Sequence, residues 1–220
     1  MEITPLNSVK TVFIGPPNSG KGTLGRIVRD NLGFDYFSMG DMLRNCSKGN
    51  TEFEIFVRKT FLEQHHLVPD SIVTKLVADA LDSINGNSVV LDGYPRNTPQ
   101  AEALDDILAG DYFPILINVE DSELLKRAEG RVSCQGCGQS YNLNSRPPIN
   151  PGFCDSCNAG LVRRKEDKQD IALARLQGYK NYIEPNLVEH YGARMISIDG
   201  NAEPLKVFEL FLEAITNHNN

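Results

Sequence analysis

Thr11-Val12-Phe13-Ile14-Gly15-Pro16-Pro17-Asn18-Ser19-Gly20-Lys21-Gly22-Thr23 joins an apolar run, a glycine-rich turn and the opening of a helical pattern, in that order. This is the layout of a phosphate-binding loop. Glycines at 15, 20 and 22 let the backbone curl with its N–H groups turned inward, because glycine tolerates positive φ at little steric cost. The helix that follows adds partial positive charge at its N-terminus, and Lys21 can reach the outer phosphates of a nucleoside triphosphate. The pattern departs from the general one at a single slot. Ser or Thr usually follows the lysine to hold magnesium, whereas here Gly22 fills that position and Thr23 comes next.

Working outward, short apolar runs alternate with helical periods. Val9–Ile14, Asp35–Ser38, Ser88–Leu91, Phe113–Val119 and Arg194–Ile198 read as strands. Helical patterns cover 21–31, 40–48, 51–64, 70–84, 98–109, 121–129, 167–191 and 203–217, and Pro185 should kink or split the 167–191 helix. Such alternation with short links predicts an α/β fold, a parallel sheet covered by helices. From about 130 to 163 the helical period disappears and Gly, Pro, Asn and Cys accumulate, which predicts an inserted subdomain.

At the end of the Ser88–Leu91 strand stands Asp92-Gly93-Tyr94-Pro95-Arg96. Ligands of open parallel sheets sit beyond the carboxyl ends of the strands. A carboxylate there can orient magnesium and its waters, and Arg96 can grip a phosphate through two parallel hydrogen bonds. Ser38-Met39-Gly40-Asp41-Met42-Leu43-Arg44 carries a strand into a helix, with Asp41 suited to the helix N-terminus and Arg44 one turn in.

Cys134-Gln135-Gly136-Cys137 and Cys154-Asp155-Ser156-Cys157 are two C-x-x-C knuckles with 16 residues between Cys137 and Cys154. The spacing suits a four-thiolate zinc site, closed and therefore structural; disulfides and an iron–sulfur site are the alternatives. Gly138 allows the tight turn that a knuckle needs. A segment this short cannot build much core, and a metal replaces one. Cys46 and the histidines show no functional spacing.

The chain has 220 residues and a formal net charge of -7, and is 40% hydrophobic. That is enough for one domain with a real core. A nucleic-acid binder is more often basic overall, so any polyanion held here must be small and gripped locally. The first 20 residues lack a long apolar core, and no apolar run nears the roughly 20 residues of a membrane span. The expectation is a cytoplasmic protein without membrane partners.

Taken together, these motifs resemble the adenylate kinase family in its long, lid-bearing form. The loop at 15–23, the run Gly40–Arg44, Leu67-Val68-Pro69-Asp70, the run Asp92–Arg96 with Gln100, and Arg164-Lys165-Glu166-Asp167 occur in that family's order, over about residues 9 to 215. The resemblance implies a nucleoside monophosphate kinase fold with a central five-stranded parallel sheet. Residues 1–37, 68–129 and 164–220 would form the core, 38–67 an AMP-binding helical segment and 130–163 a zinc-binding lid. It implies magnesium-dependent phosphoryl transfer from ATP to AMP by a monomer, with no nucleic-acid partner. Gly15, Pro16, Pro17, Asn18, Ser19, Gly20, Lys21, Gly22 and Thr23 would hold the ATP phosphates, Arg127 would lie over the ATP base, and Arg131 and Arg164 would reach its phosphates. Arg44 and Arg96 would bind the AMP phosphate and Gln100 its adenine, with Met39, Leu67, Val68 and Gly93 alongside. Arg175 would sit between donor and acceptor phosphates together with Arg164, and Asp92 would work with magnesium.

The physics of the reaction agrees. Two nucleotides carry about six negative charges, and unit charges about 4 Å apart interact by about 4 kcal/mol at an effective dielectric near 20. Bringing them together needs a dense cationic cluster inside an acidic protein. Four positions depart from the family pattern. Met39 replaces a usual threonine beside the acceptor base, His65 a common glycine, Val132 a second arginine, and Asn18 a frequent glycine of the loop. A thioether cannot donate a hydrogen bond, so AMP selectivity is relaxed or achieved otherwise. Two rival readings follow: a kinase for another nucleoside monophosphate, and a nucleotide-sensing or nucleic-acid-binding zinc-ribbon module. The stretch from Cys134 to Cys157 holds Arg146 as its only basic side chain, which disfavours the second.

Overall fold

The computed structural model describes residues 8–63, 68–84 and 86–218. In chain order the elements are β1 (Lys10–Ile14), α1 (Lys21–Leu32), β2 (Asp35–Ser38), α2 (Met39–Cys46), α3 (Glu52–Val57), α4 (Asp70–Ser83), β3 (Val89–Asp92), α5 (Thr98–Leu108), β4 (Phe113–Asn118), α6 (Asp121–Gly130), β5 (Arg131–Cys134), β6 (Ser140–Asn142), β7 (Leu161–Val162), α7 (Gln169–Gly178), α8 (Glu184–Tyr191), β8 (Ile196–Asp199) and α9 (Pro204–His218). Two of the residues singled out above, Leu67 and His65, lie outside the described residues, as do Asn219 and Asn220.

The main sheet has the order β2-β3-β1-β4-β8. Its parallel register sets Lys10 against Val89 and Thr11 against Phe113, and brings Phe13, Ser38 and Asp92 level at the carboxyl ends of β1, β2 and β3. Val12, Val89 and Val90 are completely buried. Strands covered on both faces read as continuous apolar runs, which is why no alternation marks them in the sequence. From β1 the chain runs to β2, beyond β3 on one side, and from β3 it crosses back over β1 to β4 on the other, the strand-order reversal at which open sheets bind ligands.

Local chemistry sets the helix ends. Ser38 caps α2 by accepting from the Asp41 N–H at 3.4 Å. Thr51 and Glu54 form a reciprocal capping box on α3. Asn97 caps α5, which stops where Ala109 and Gly110 turn left-handed at φ 51° and 69°. Gly25 is required in α1 because a Cβ there would overlap the ring of Tyr36.

Three boundaries differ from the sequence reading. The 51–64 helix widens into a π-turn over Arg58–Glu63, from which the Arg58 guanidinium donates to the carbonyls of Ser47 and Gly49. The 167–191 pattern divides into a short turn Lys165–Asp167, α7, a π-turn Tyr179–Ile183 and α8. Pro185 lacks an N–H and its ring crowds the carbonyl four residues back; the widened turn just before it absorbs both defects. The last strand begins at Ile196, because Arg194 ends a 3-10 turn and donates to Asp105.

The chain forms two compact units. One comprises the chain up to Ile14, Gly25–Leu116 and Asn186–Ile196. It buries Val28, Tyr94, Leu104 and Leu187. The other comprises Gly15–Leu24, Ile117–Pro185 and the chain from Ser197. It buries Leu124, Ala128, Phe211 and Ile215. Within this second unit β5, β6 and β7 form an antiparallel sheet of order β6-β5-β7. Its own core is confined to Cys134, Tyr141 and Cys154, with Val132, Ala159 and Leu161 packed around them. No helix among the described residues is long and apolar enough to cross a membrane.

Candidate active site

The loop after β1 curls at two of the three glycines read for it, while Gly22 lies in the first turn of α1 and Asn18 is left-handed instead. Gly15, Asn18 and Gly20 adopt φ of 151°, 68° and 98°. A Cβ on Gly15 would stand 2.8 Å from the Ile117 carbonyl, so the first position admits only glycine. Asparagine is among the few side chains that tolerate the left-handed region, which accounts for residue 18. The loop closes on itself through Ser19 N–H to Pro16 O at 3.2 Å and enters α1 through the Thr23 and Leu24 N–H groups to Gly20 O at 2.9 Å each. Lys21 folds back across it, donating to Gly15 O at 2.7 Å, Pro16 O at 2.8 Å and Ser19 Oγ at 3.2 Å. The ammonium is thus held against the loop by two backbone carbonyls and a hydroxyl. Arg127 borders this loop. Its guanidinium donates to Gly200 O at 2.9 Å and Ser19 O at 3.5 Å, and Glu123 steadies its Nε at 2.9 Å.

In the same unit Arg131, Arg164 and Arg175 gather around two acids to which the sequence reading gave no role. Arg131 makes a two-pronged pair with Asp167, Nε to Oδ2 at 2.7 Å and Nη2 to Oδ1 at 2.5 Å, and Asp167 is only 1% exposed. Arg164 lies 4.0 Å from Glu166. Burial pushes the Glu166 carboxyl up, yet it sits below the ordinary glutamate range. Its own backbone N–H and the fields of Arg175, Arg164 and Arg131 prevail. A signal was present in the sequence: two acids two and three residues after Arg164, where the cysteine-rich insert rejoins the helical pattern.

The other unit holds Asp92, Gly93, Arg96, Arg44, Met39, Val68 and Gln100. Asp92 ends β3 and accepts a 2.8 Å hydrogen bond from the Tyr36 hydroxyl. Burial first, and the nearby Asp92 charge second, raise the Tyr36 pKa well above its usual value, so the phenol stays a donor. Gly93 takes φ 81° and its carbonyl accepts from Arg96 Nε at 2.9 Å. Burial lowers the Arg96 pKa, Asp92 opposes this, and the like charge of Arg44 adds to it, which shows the two arginines to be electrostatic neighbours. Arg44 is drawn to Asp41 at 2.5 Å, and Arg26 reaches the other oxygen of Asp41 at 3.4 Å. Met39 is buried with Phe37, Met42, Val77, Leu91 and Tyr94 around an apolar niche, and Val68 is buried as well. Gln100 is 4% exposed and bonded at both ends of its amide, to Arg96 N–H and to Asp70.

The four knuckle cysteines come together with every Sγ within 4.8 Å of the others. Cys134 and Cys157 are 3.4 Å apart, Cys137 and Cys154 3.5 Å, and none is disulfide-bonded. Tetrahedral zinc–sulfur bonds of about 2.3 Å place sulfurs about 3.8 Å apart, so this donor set fits such an ion. Each knuckle turns on a left-handed residue: Gly138 with φ 74° after the first pair, and Asn158 with φ 57° after the second. The Gly136 and Cys137 N–H groups donate to Cys134 Sγ at 3.3 and 3.4 Å. Burial opposes ionisation of Cys154, but the Tyr141 hydroxyl and the N–H groups of Ser156 and Cys157 draw it down to about 6. Burial pushes Cys137 up to about 12, and the sulfurs beside it add to that. Four thiolates cannot coexist at this spacing unaided, and a bound cation resolves the conflict.

The sequence profile of the adenylate kinase family matches residues 13–196. A protein of Methanothrix thermoacetophila named adenylate kinase is 37% identical over 205 residues, covering 90% of this chain and 94% of its own. Adenylate kinases of Thermoanaerobacter sp. (34% over 214 residues, 94% of this chain and 98% of theirs) and Clostridium perfringens (35% over 207 residues, 91% and 94%) are similar to it over nearly the same span. With the parallel sheet, the lysine-bearing loop and the four-cysteine cluster, these matches lead to one assignment: the chain belongs to the adenylate kinase family of phosphotransferases.

Proposed function

We propose that this protein transfers the terminal phosphoryl group of magnesium-bound ATP to AMP, reversibly, giving two ADP. The observation that carries the reading is Lys21 held across a glycine-rich loop with three residues at positive φ, between β1 and the start of α1. Lys21 and the amides of 15–23 hold the ATP phosphates, and Arg127 borders the base. Arg44 and Arg96 take the AMP phosphate, Gln100 reads adenine, and Met39, Leu67, Val68 and Gly93 shape the acceptor pocket. Arg131, Arg164 and Arg175 neutralise charge on the transferring group, exchanging Glu166 and Asp167 for phosphate oxygens. The AMP phosphate is already anionic, so no general base is needed; the protein's work is alignment and charge stabilisation. Magnesium enters with ATP as substrate and shields its oxygens, and Asp92 orients the waters around it.

Residues 38–67 form the acceptor segment and 130–163 a lid that excludes water during transfer. Cys134, Cys137, Cys154 and Cys157 hold zinc, which supplies structure to a lid whose own core is three residues wide. We further infer a cytoplasmic monomer without nucleic-acid or membrane partners. The single basic side chain between the knuckles, Arg146, is turned to the Ser140 carbonyl at 2.8 Å, which weakens the zinc-ribbon reading. A coupled assay of ADP formation from magnesium-ATP against AMP, GMP, CMP and UMP tests the proposal. Preference for AMP is expected. Preference for another monophosphate would favour the rival kinase reading, to which the buried thioether of Met39 lends its one argument. No turnover with any of them would remove both.

A further inference from the structure

We infer that Asp70 is a positioning residue that fixes which way round the Gln100 amide faces, and thereby selects a 6-amino purine over a 6-oxo purine. The inference rests on the reading of Gln100 as the adenine contact. Gln100 Oε1 accepts from the Arg96 N–H at 2.8 Å, while Nε2 donates to Asp70 Oδ1 at 2.6 Å. The other Asp70 oxygen accepts from Asn97 Nδ2 at 3.0 Å, and Asn97 Oδ1 accepts from the Gln100 N–H at 2.9 Å, so Gln100, Asp70 and Asn97 close a ring of hydrogen bonds to which the Arg96 N–H is joined. A backbone N–H can only donate and an ionised carboxylate can only accept. These two partners of opposite polarity admit one orientation of the amide.

An amide carbonyl has two acceptor sites and the NH₂ two hydrogens. The Arg96 N–H and Asp70 use one of each. What remains is one acceptor on Oε1 and one hydrogen on Nε2, at defined positions. Adenine offers the complement, an amine hydrogen at position 6 and an acceptor at N1. Hypoxanthine and guanine offer the reverse, an oxygen at position 6 and N1–H. They would match Gln100 only after its amide turned over, and turning it over would set Nε2 against the Arg96 N–H and Oε1 against the Asp70 carboxylate. The second clash is with an ionised group, where hydrogen bonds are roughly twice as strong as neutral ones. Asp70 is therefore the stronger of the two locks. It also offers a route to base selectivity that does not depend on a hydroxyl at position 39, where the sequence has methionine.

The test compares kcat/KM for AMP and for inosine 5′-monophosphate, which differ at N1 and position 6 alone. Wild type, Asp70→Asn, Asp70→Ser and Asp70→Glu are assayed with magnesium-ATP, with thermal melts confirming the fold. Asn and Ser can donate as well as accept, so the AMP-to-IMP ratio should fall at least about tenfold in either. Glu remains acceptor-only and should keep most of the discrimination. A merely structural role for Asp70 would depress both substrates together and leave the ratio unchanged; that result in a folded Asn or Ser variant overturns the inference while leaving the adenylate kinase reading intact. Absence of AMP turnover in wild type would remove that reading, and this inference with it.

Discussion

Arg131 and Arg175 were expected to play similar parts, yet their surroundings differ sharply. Arg175 is exposed on α7, whereas Arg131 is the bidentate partner of a carboxylate that is 1% exposed. Removing one member of a buried ion pair strands the other, at a cost of about 3–5 kcal/mol. Both Arg131→Ala and Arg175→Ala should lower turnover by about 10³-fold or more, the scale of an arginine supplied to a transferring phosphoryl group. Only Arg131→Ala should also lower Tm, by about 6–20 °C, since each kcal/mol moves a protein of this size by about 2–4 °C. Calorimetry beside the coupled assay checks both. Equal melting points for the two variants would show that the Arg131–Asp167 pair does not stabilise the fold. At this scale the sequence named candidate arginines and hid their partners, because a carboxylate's burial depends on what packs over it.

At the scale of elements, α5 and α8 are clamped by one carboxylate. Asp105 accepts from Tyr112 at 2.8 Å, from Arg194 at 3.1 Å and from His190 Nε2 at 2.8 Å, and Tyr112 in turn bonds Tyr191 at 3.0 Å. Burial raises its pKa, but the hydrogen bonds from Tyr112, His190 and Arg194, with the Arg194 charge, leave it below the usual aspartate value. The folded pKa thus lies below the unfolded one of about 3.9. The clamp's contribution is present in full above that pH and is lost as pH falls through the folded value. Unfolding free energy should therefore decline below about pH 4, and Asp105→Asn should remove part of that slope; identical slopes would exclude the clamp. The contact of α1 with β2 is equally specific. Gly25→Ala drives a methyl into the Tyr36 ring and should destabilise by about 1–3 kcal/mol, read by urea denaturation. Neither contact was visible as a pattern, since each joins residues that local periodicity treats as independent.

The whole molecule carries a formal charge of -7, yet the proposed reaction requires it to hold two polyanions. Glu166 and Asp41 balance the arginines beside them, and under the proposed reaction phosphate oxygens would take the place of these acids. A bisubstrate mimic of two adenosines joined by a polyphosphate should bind only where both nucleotide sites exist. At about 100 times its Kd it should stabilise by about 2.7 kcal/mol, a Tm rise of about 5–11 °C; an unmoved transition would contradict the two-nucleotide reading. Stripping the metal with a chelator should lower Tm more than it lowers kcat at low temperature, because the four thiolates shape a small subdomain and touch no reacting atom. Metal analysis confirms removal, and an unchanged Tm in the stripped protein would refute the structural role.

Sequence alone determined the α/β class and the four-cysteine set, and marked a candidate phosphate loop and candidate arginines. These are written in short-range patterns: glycines where φ must be positive, continuous apolar runs where both strand faces are covered, and thiols at knuckle spacing. The tertiary structure decided what a linear pattern cannot hold. It gave the expected kink or split at Pro185 the form of a π-turn, moved the start of the last strand past Arg194, and revealed Asn158 as the counterpart of Gly138. It also paired Arg131 with Asp167 and set Gln100 between Asp70 and Arg96. The physical reason is common to these last cases. A hydrogen bond's partner and a carboxylate's charge are set by distance and burial, and both are properties of the folded chain that residue order specifies only through the fold.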